Sequence, residues 1–206
     1  MLEAIKEIVG ESRFFTADAI GADYCHDECP GVTGTPDAVV EIASTEQAAA
    51  VIKLCAEAGV PVTVRGAGTG QAGGSVPVEG GVVLSLKGMD QILEFDEAAR
   101  TLRVQPGVLL QDVKAEAEKR GLYYPPDPGE KTATIGGNAA TNASGPYAVK
   151  YGVTRDYIAA LTVVRADGNA ETLSGADLES VIGSEGTLAV ITELTLKLID
   201  KPKADA

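Results

Sequence analysis

The 206-residue chain carries 30 acidic against 17 basic residues, a formal net charge of −13, and 45% apolar residues without a tryptophan. That length suits one domain or two small lobes sharing a cleft, and the charge argues against general nucleic-acid binding and against an anionic membrane surface. No segment approaches the roughly 18 apolar residues of a membrane span.

The opening MLEAIKEIVGESRFF has neither the basic start nor the apolar run of a signal peptide. Three cysteines make no disulfide framework, so a reducing, cytoplasmic setting is the simplest reading. Residues 2–9 read as a short helix with Leu2, Ile5, Ile8 and Val9 on one side. Cys25, His26, Asp27, Glu28 and Cys29 tempt a metal reading, but a structural zinc site wants four ligands in paired spacing and no second Cys/His pair exists. A polar surface loop ending at Pro30 is the expectation, with no metal.

From Asp37 to Ala43 the pattern is that of a strand, and Ser44 then opens a helix, with Gln47 placed to complete a capping box. Ala48, Val51, Ile52, Cys55 and Ala58 line one face of it, and Gly59 ends it. Val62 and Val64 start the next strand, long enough after the first for a parallel crossover. It runs into a loop with glycines at 66, 68, 70, 73 and 74. Glycine costs about 0.5–1 kcal/mol per residue relative to Ala in regular structure, so this density implies bare backbone that something approaches. Successive amides turned inward suit a phosphate or diphosphate. The spacing of Gly66, Gly68 and Gly74 departs from the Rossmann fingerprint, and Ser75 and Pro77 follow instead of a helix, which disfavours a dinucleotide fold of that type.

Strands are expected over residues 82–86, 91–95 and 101–105, with a turn at 96–100, and a helix over 109–120 with Leu110, Val113 and Ala117 inward and Gly121 as its stop. Residues 125–152 form a second glycine-rich region. Its prolines stiffen an irregular backbone, and Thr134, Gly136, Gly137, Asn138, Thr141, Asn142, Ser144 and Gly145 supply small polar groups with few apolar anchors. That composition reads as the wall of a site for a polar, planar ligand. Residues 157–166 and 170–173 form a hairpin about Asp167-Gly168. A third glycine turn, 183–187, leads into a long strand over 188–199 with Leu194, Leu196 and Leu198 on one face.

Five motifs in order then carry a resemblance: PVTVRGAGTG at 61–70, PPDP at 125–128, TIGGNAATNA at 134–143, AVKYG at 148–152 and GSEGTL at 183–188. The sequence resembles the FAD-binding domain of the vanillyl-alcohol-oxidase, PCMH-type flavoproteins, and among them the FAD-linked D-2-hydroxyacid dehydrogenases of the D-lactate dehydrogenase and glycolate oxidase D-subunit type. The resemblance implies an α+β fold of two α/β lobes, one with a small parallel sheet and one with a larger, mostly antiparallel sheet, holding FAD between them. It implies residues 1–35 as an N-terminal helix and loop, 36–200 as the FAD domain with sublobes about 36–88 and 89–200, and 201–206 as a tail.

Carried over by position, the amides of Arg65, Gly66, Ala67, Gly68, Thr69 and Gly70, with Gly74 and Ser75, cradle the diphosphate. Pro126, Asp127, Thr134, Gly136, Gly137, Asn138, Thr141, Ser144 and Gly145 line the flavin, ribityl and diphosphate path. Glu185, Gly186 and Ile191 lie near the adenosine end. Some members tether the flavin through a histidine where this chain has Thr69, and the single histidine, His26, lies far from every motif in sequence, so noncovalent FAD is expected. Members of the resembled family run to more than twice this length, with a cap domain after the flavin domain and a longer insert between the positions of Thr172 and Gly183. An isolated, natural or engineered flavin domain lacking the substrate cap is therefore expected, with no catalytic residue of its own and a cap domain or electron-acceptor subunit as possible partner. The alternatives are a small flavoprotein subunit active with a partner, and a nucleotide-binding module that does not use flavin.

Overall fold

The computed structural model describes residues 1–203, and the end of the expected tail, 204–206, lies outside the described residues. The chain begins with α1 (Leu2–Val9), which buries Ile5 and Val9 and stops at Gly10, followed by β1 (Phe14–Thr16). Then come β2 (Ala38–Glu41), α2 (Thr45–Ala58), β3 (Val62–Arg65) and β4 (Val82–Ser85). β4 lies between β2 and β3 and runs parallel to both, with Val39 beside Val83 and Arg65 beside Ser85. β1 joins β2 antiparallel, Phe15 opposite Val39. The small sheet is therefore mixed: its three-stranded body is parallel, as expected, and the short FFT edge strand is an addition that three residues gave no periodicity to reveal.

Ser44 caps α2 by accepting from the Gln47 amide at 3.2 Å. The Gln47 side chain does not complete a box with Ser44. It accepts from the Ala43 amide at 3.0 Å and donates to the Ile8 carbonyl at 3.1 Å, tying α2 to α1. Ile5 and Val9 consequently share a core with Val40, Val51, Cys55 and Leu84. That core also takes in Val164 and Val190 of the second sheet, so α2 packs against both sheets.

The second sheet has five antiparallel strands in the order β5 (Ile92–Asp96), β6 (Thr101–Val104), β10 (Val190–Lys197), β8 (Ile158–Val164) and β9 (Ala170–Ser174). β10 is central, and its Leu194 and Leu196 are fully buried between β6 and β8. The long strand expected over 188–199 is divided. After Lys197 the chain leaves β10, and β11 (Ile199–Asp200) pairs with β7 (Leu122–Tyr123) instead. Between β6 and β7 lies α3 (Leu110–Lys119), with Leu110, Val113 and Ala117 buried as its periodicity predicts.

The largest difference from expectation lies in the second glycine-rich region, which contains two short helices, α4 (Ile135–Ala140) and α5 (Ala148–Tyr151). Thr134 caps α4 by accepting from the Gly137 amide at 3.3 Å. Two glycines among six residues hid this helix, because glycine is a poor helix former. Burial of Ile135, Asn138 and Ala139 supplies what propensity lacks.

Tyr124 is completely buried, its ring 6.0 Å from that of Tyr157, and its hydroxyl has no hydrogen-bond partner among the described residues. Burial pushes the phenol's pKa far above its ordinary value. Urea unfolding should therefore find Tyr124→Phe unchanged or more stable by about 1 kcal/mol, since it removes an unsatisfied group. Leu194→Ala, at the centre of the large sheet, should cost about 2–5 kcal/mol.

Candidate functional site

The C-terminal ends of parallel strands are where open α/β sheets place ligands, and β3 delivers the chain there into the first glycine loop. A cleft of about 570 Å³ opens between the two sheets, within the range of small-molecule sites. Three turns converge on it. The first is the loop 66–75. The second is α4 with residues 141–144, and the third is the turn 183–186, whose Gly183 and Glu185 amides donate to the carbonyls of Ala139 and Ala140 at 3.2 and 2.8 Å.

The turns meet so closely that a side chain would separate them. A Cβ on Gly66 would strike the Thr134 hydroxyl, and one on Gly74 would lie 2.8 Å from a Glu185 carboxylate oxygen. α4 is held in turn by the Gly136 amide donating to the Pro106 carbonyl at 2.9 Å and the Ile135 amide to that of Val108 at 2.8 Å. Arg155 supports the third turn, donating to the Ile182 carbonyl at 3.2 Å and pairing with Glu179.

Gly66, Ala67, Gly68, Thr69, Gly70, Gly74, Ser75, Thr134, Gly136, Gly137, Asn138, Thr141, Ser144, Glu185, Gly186 and Ile191 all line this cleft. Four residues assigned to the site from sequence stand outside its lining. The Arg65 side chain is 3% exposed and turned away behind the loop. Pro126 is buried. Asp127 pairs with Lys114 at 3.0 Å and accepts from the Gly129 amide at 3.2 Å. Gly145 packs against the Asp127 carbonyl, where a Cβ would collide; these two residues fasten one wall segment to another.

Asn142, named with the second glycine-rich region, lines it too, and so do residues the sequence did not assign to the site, among them Asp27, Gln71, Glu130, Val181 and Ser184. Ser184 sits inside a recognised motif and Gln71 directly follows one, so both were within reach. Asp27 was not: the segment read as a polar surface loop is packed onto the first glycine loop, with Asp27 only 7% exposed and the Glu28 amide donating to the Gly70 carbonyl at 2.9 Å. His26, remote in sequence, is thus near that loop in space, although it does not line the cleft.

No lysine or arginine lines the cleft among the described residues, whereas Asp27, Glu130 and Glu185 do. Its walls are therefore richer in carboxylates than the sequence suggested. An anionic group bound here would be met by backbone amides and neutral side-chain donors, with the Arg65 guanidinium beneath the first loop. Burial lowers the Arg65 pKa while Asp23 and Asp27 raise it, and a guanidinium stays charged through such shifts. On the lining, two buried side-chain donors have no partner among the described residues: Asn138 Nδ2, on a side chain 4% exposed, and Ser184 Oγ. Unsatisfied buried donors lining a cleft are what a ligand rich in acceptor oxygens and nitrogens would satisfy.

Bare amides and unpartnered donors on these walls suit a ligand rich in acceptor atoms, and the comparisons with known proteins point to one. Residues 36–174 match the family described as FAD binding domain. The chain belongs to that family, and FAD is its cofactor. It is 51% identical to a D-lactate dehydrogenase of Anaerostipes hadrus over 99% of this chain and 45% of that protein. It is 42% identical to the glycolate oxidase subunit GlcD of Bacillus subtilis (strain 168) over 98% of this chain and 45% of that protein. The chain thus spans a little under half the length of these curated relatives. Among solved structures, an alkyldihydroxyacetonephosphate synthase superposes with a TM-score of 0.87 at 23% identity, covering 98% of this chain and 39% of that one. A 6-hydroxy-D-nicotine oxidase from Arthrobacter nicotinovorans gives 0.81 at 25% identity, covering 92% and 42%. These likenesses establish the α+β, PCMH-type flavoprotein fold.

Asn138→Ala separates a ligand contact from a packing role. The FAD-free protein should be as stable as the parent or more so, because the amide has no partner to lose, while FAD binding weakens by about tenfold. Thermal unfolding and flavin-fluorescence titration check the two halves.

Proposed function

We propose that this chain is the noncovalent FAD-holding part of an oxidoreductase acting on 2-hydroxy acids of the D-lactate or glycolate kind. The observation that carries the substrate class is the 51% identity, along nearly the whole chain, to a protein named D-lactate dehydrogenase. The amides of Arg65–Gly70, Gly74 and Ser75 hold the diphosphate. Thr134, Gly136, Gly137, Asn138, Thr141 and Ser144 line the flavin and ribityl path, backed by Pro126, Asp127 and Gly145, and Glu185, Gly186 and Ile191 bound the adenosine end. Thr69 offers no imidazole for a covalent flavin link of the histidyl kind, which supports a dissociable cofactor.

The bound flavin supplies the hydride acceptor for the substrate α-carbon. The chain's own contribution is positional. Asn138 Nδ2 and Ser184 Oγ donate to acceptor atoms of the cofactor, and the buried wall of Val181, Ala189 and Ile191 keeps water from one side of the cleft. A 2-hydroxy acid also needs a cation for its carboxylate and a base near its hydroxyl. The absence of any lysine, arginine or histidine from the described lining supports a substrate site completed by polypeptide outside these residues, whether a cap domain or a partner subunit. One relative is itself named as a subunit. No helix among the described residues is long and apolar enough to cross a membrane, and three free thiols suit a reducing cytoplasm.

The test is anaerobic reduction of the FAD-loaded chain. Dithionite should bleach the visible flavin band, and D-lactate or glycolate should leave it nearly unchanged. Rapid bleaching by D-lactate and not by L-lactate would show a complete substrate site in this chain and overturn that part of the proposal.

A further inference from the structure

We propose that the segment Asp23–Cys29 is a clamp that sets the first glycine loop in its binding shape before any cofactor arrives, with Asp27 and Arg65 as positioning residues. This rests on the reading of that loop as the diphosphate site. The segment lies before residue 36, where the match to the FAD binding domain begins.

The need for a clamp follows from the loop's composition. A stretch with five glycines between positions 66 and 75 has many backbone conformations available, and ordering it on binding would weaken affinity by the entropy lost. In this structure the loop is fastened from behind at three points. Arg65, at its start, donates from Nη1 to the Ser75 carbonyl at 3.1 Å and to Ser75 Oγ at 3.4 Å, and from Nη2 to the Asp23 carbonyl at 2.6 Å. At the middle, the Glu28 amide holds the Gly70 carbonyl at 2.9 Å. At the end, Ser75 Oγ donates to Asp27 Oδ2 at 3.3 Å. Asp27 Oδ1 meanwhile accepts from the Cys29 amide at 2.9 Å, which closes the segment into a tight turn.

The clamp is itself anchored to the small sheet. The Tyr24 hydroxyl lies 3.4 Å from Ser85 Oγ on β4, its ring sits under both Arg65 and Lys87 at 5.6 and 5.2 Å, and Lys87 pairs with Asp23 at 3.6 Å. Each Asp27 oxygen accepts from a protein donor, which fixes the carboxylate's orientation in the cleft wall. Its charge would repel a diphosphate, and the guanidinium of Arg65 held beside the same serine offsets it. Gly68 shows how closely the parts fit: it adopts φ +78°, and a Cβ there would collide with Arg65 Nη2.

The experiment compares wild type with Asp27→Ala, Asp27→Asn, Ser75→Ala and the double variant Asp27→Ala/Ser75→Ala. Two readouts are hydrogen exchange of amides 66–75 in FAD-free protein and the FAD dissociation constant from fluorescence titration. Asp27→Ala should speed exchange across 66–75 and weaken FAD by about tenfold each, with the amides of β8 and β10 unchanged. The double variant should lose less than the sum of the two singles, because both remove the contact between Ser75 Oγ and Asp27 Oδ2. Asp27→Asn keeps acceptor oxygen for the Cys29 amide and should recover most of the protection, which also covers the case in which the alanine variant fails to fold. Unchanged exchange together with unchanged FAD affinity would overturn the clamp. Faster exchange confined to 66–75 with unchanged FAD affinity would overturn instead the placement of the diphosphate on this loop, and the clamp's purpose with it.

Discussion

At the end of β3 a guanidinium turns inward rather than out, and the first glycine loop takes its shape from where that charge is buried. Burying a cation is expensive unless it is hydrogen-bonded and paired, and Arg65 meets most of that demand with two backbone carbonyls, a serine hydroxyl, an aromatic face and the nearby carboxylates of Asp23 and Asp27, its Nε alone having no partner among the described residues. Those partners come from both ends of the loop and from the N-terminal segment, so satisfying one charge fixes the relative positions of residues 23–27, 65 and 75. The loop amides between them are left for a ligand.

The same economy of contacts joins the two lobes. Contact comes from three turns whose backbones approach to distances that only glycine permits, Gly66 against Thr134 and Gly74 against Glu185, while Gly186 lies against Val64. α4 is the hub, since it is capped by the residue that meets the first loop and its carbonyls receive the amides of the third. Behind this junction α2 packs on both sheets. The base of the cleft is therefore tied together from three sides by backbone contacts.

Most of the fold was legible in the sequence because most of it obeys simple periods. Alternation along 101–104 and 193–197 and the apolar stripes of α2 and α3 match the burial observed, except that Ala58 at the end of α2 is exposed, and the Gln47 side chain reaches Ala43 and Ile8 instead of closing a box with Ser44. What escaped notice lacked a period. β1 has three residues, α4 has two glycines in six, and both owe their regularity to tertiary partners. The site was legible wherever function required bare backbone, because glycine clusters mark such places. It was not legible where a side chain works by holding another part of the chain. Arg65 resembles a phosphate ligand in sequence and is a buried strut in space. Asp27 resembles a surface carboxylate within a false metal motif and belongs to the wall of the cleft.

The central claim is that this chain holds FAD in a dissociable complex on backbone amides. It is tested most directly by adding FAD to the purified protein, removing the excess by gel filtration, recording the visible spectrum and then precipitating the protein with acid. Flavin bands that travel with the protein and appear wholly in the acid supernatant are the result expected. A protein that leaves the column colourless after saturation with FAD, or a pellet that keeps its yellow colour, would contradict the account.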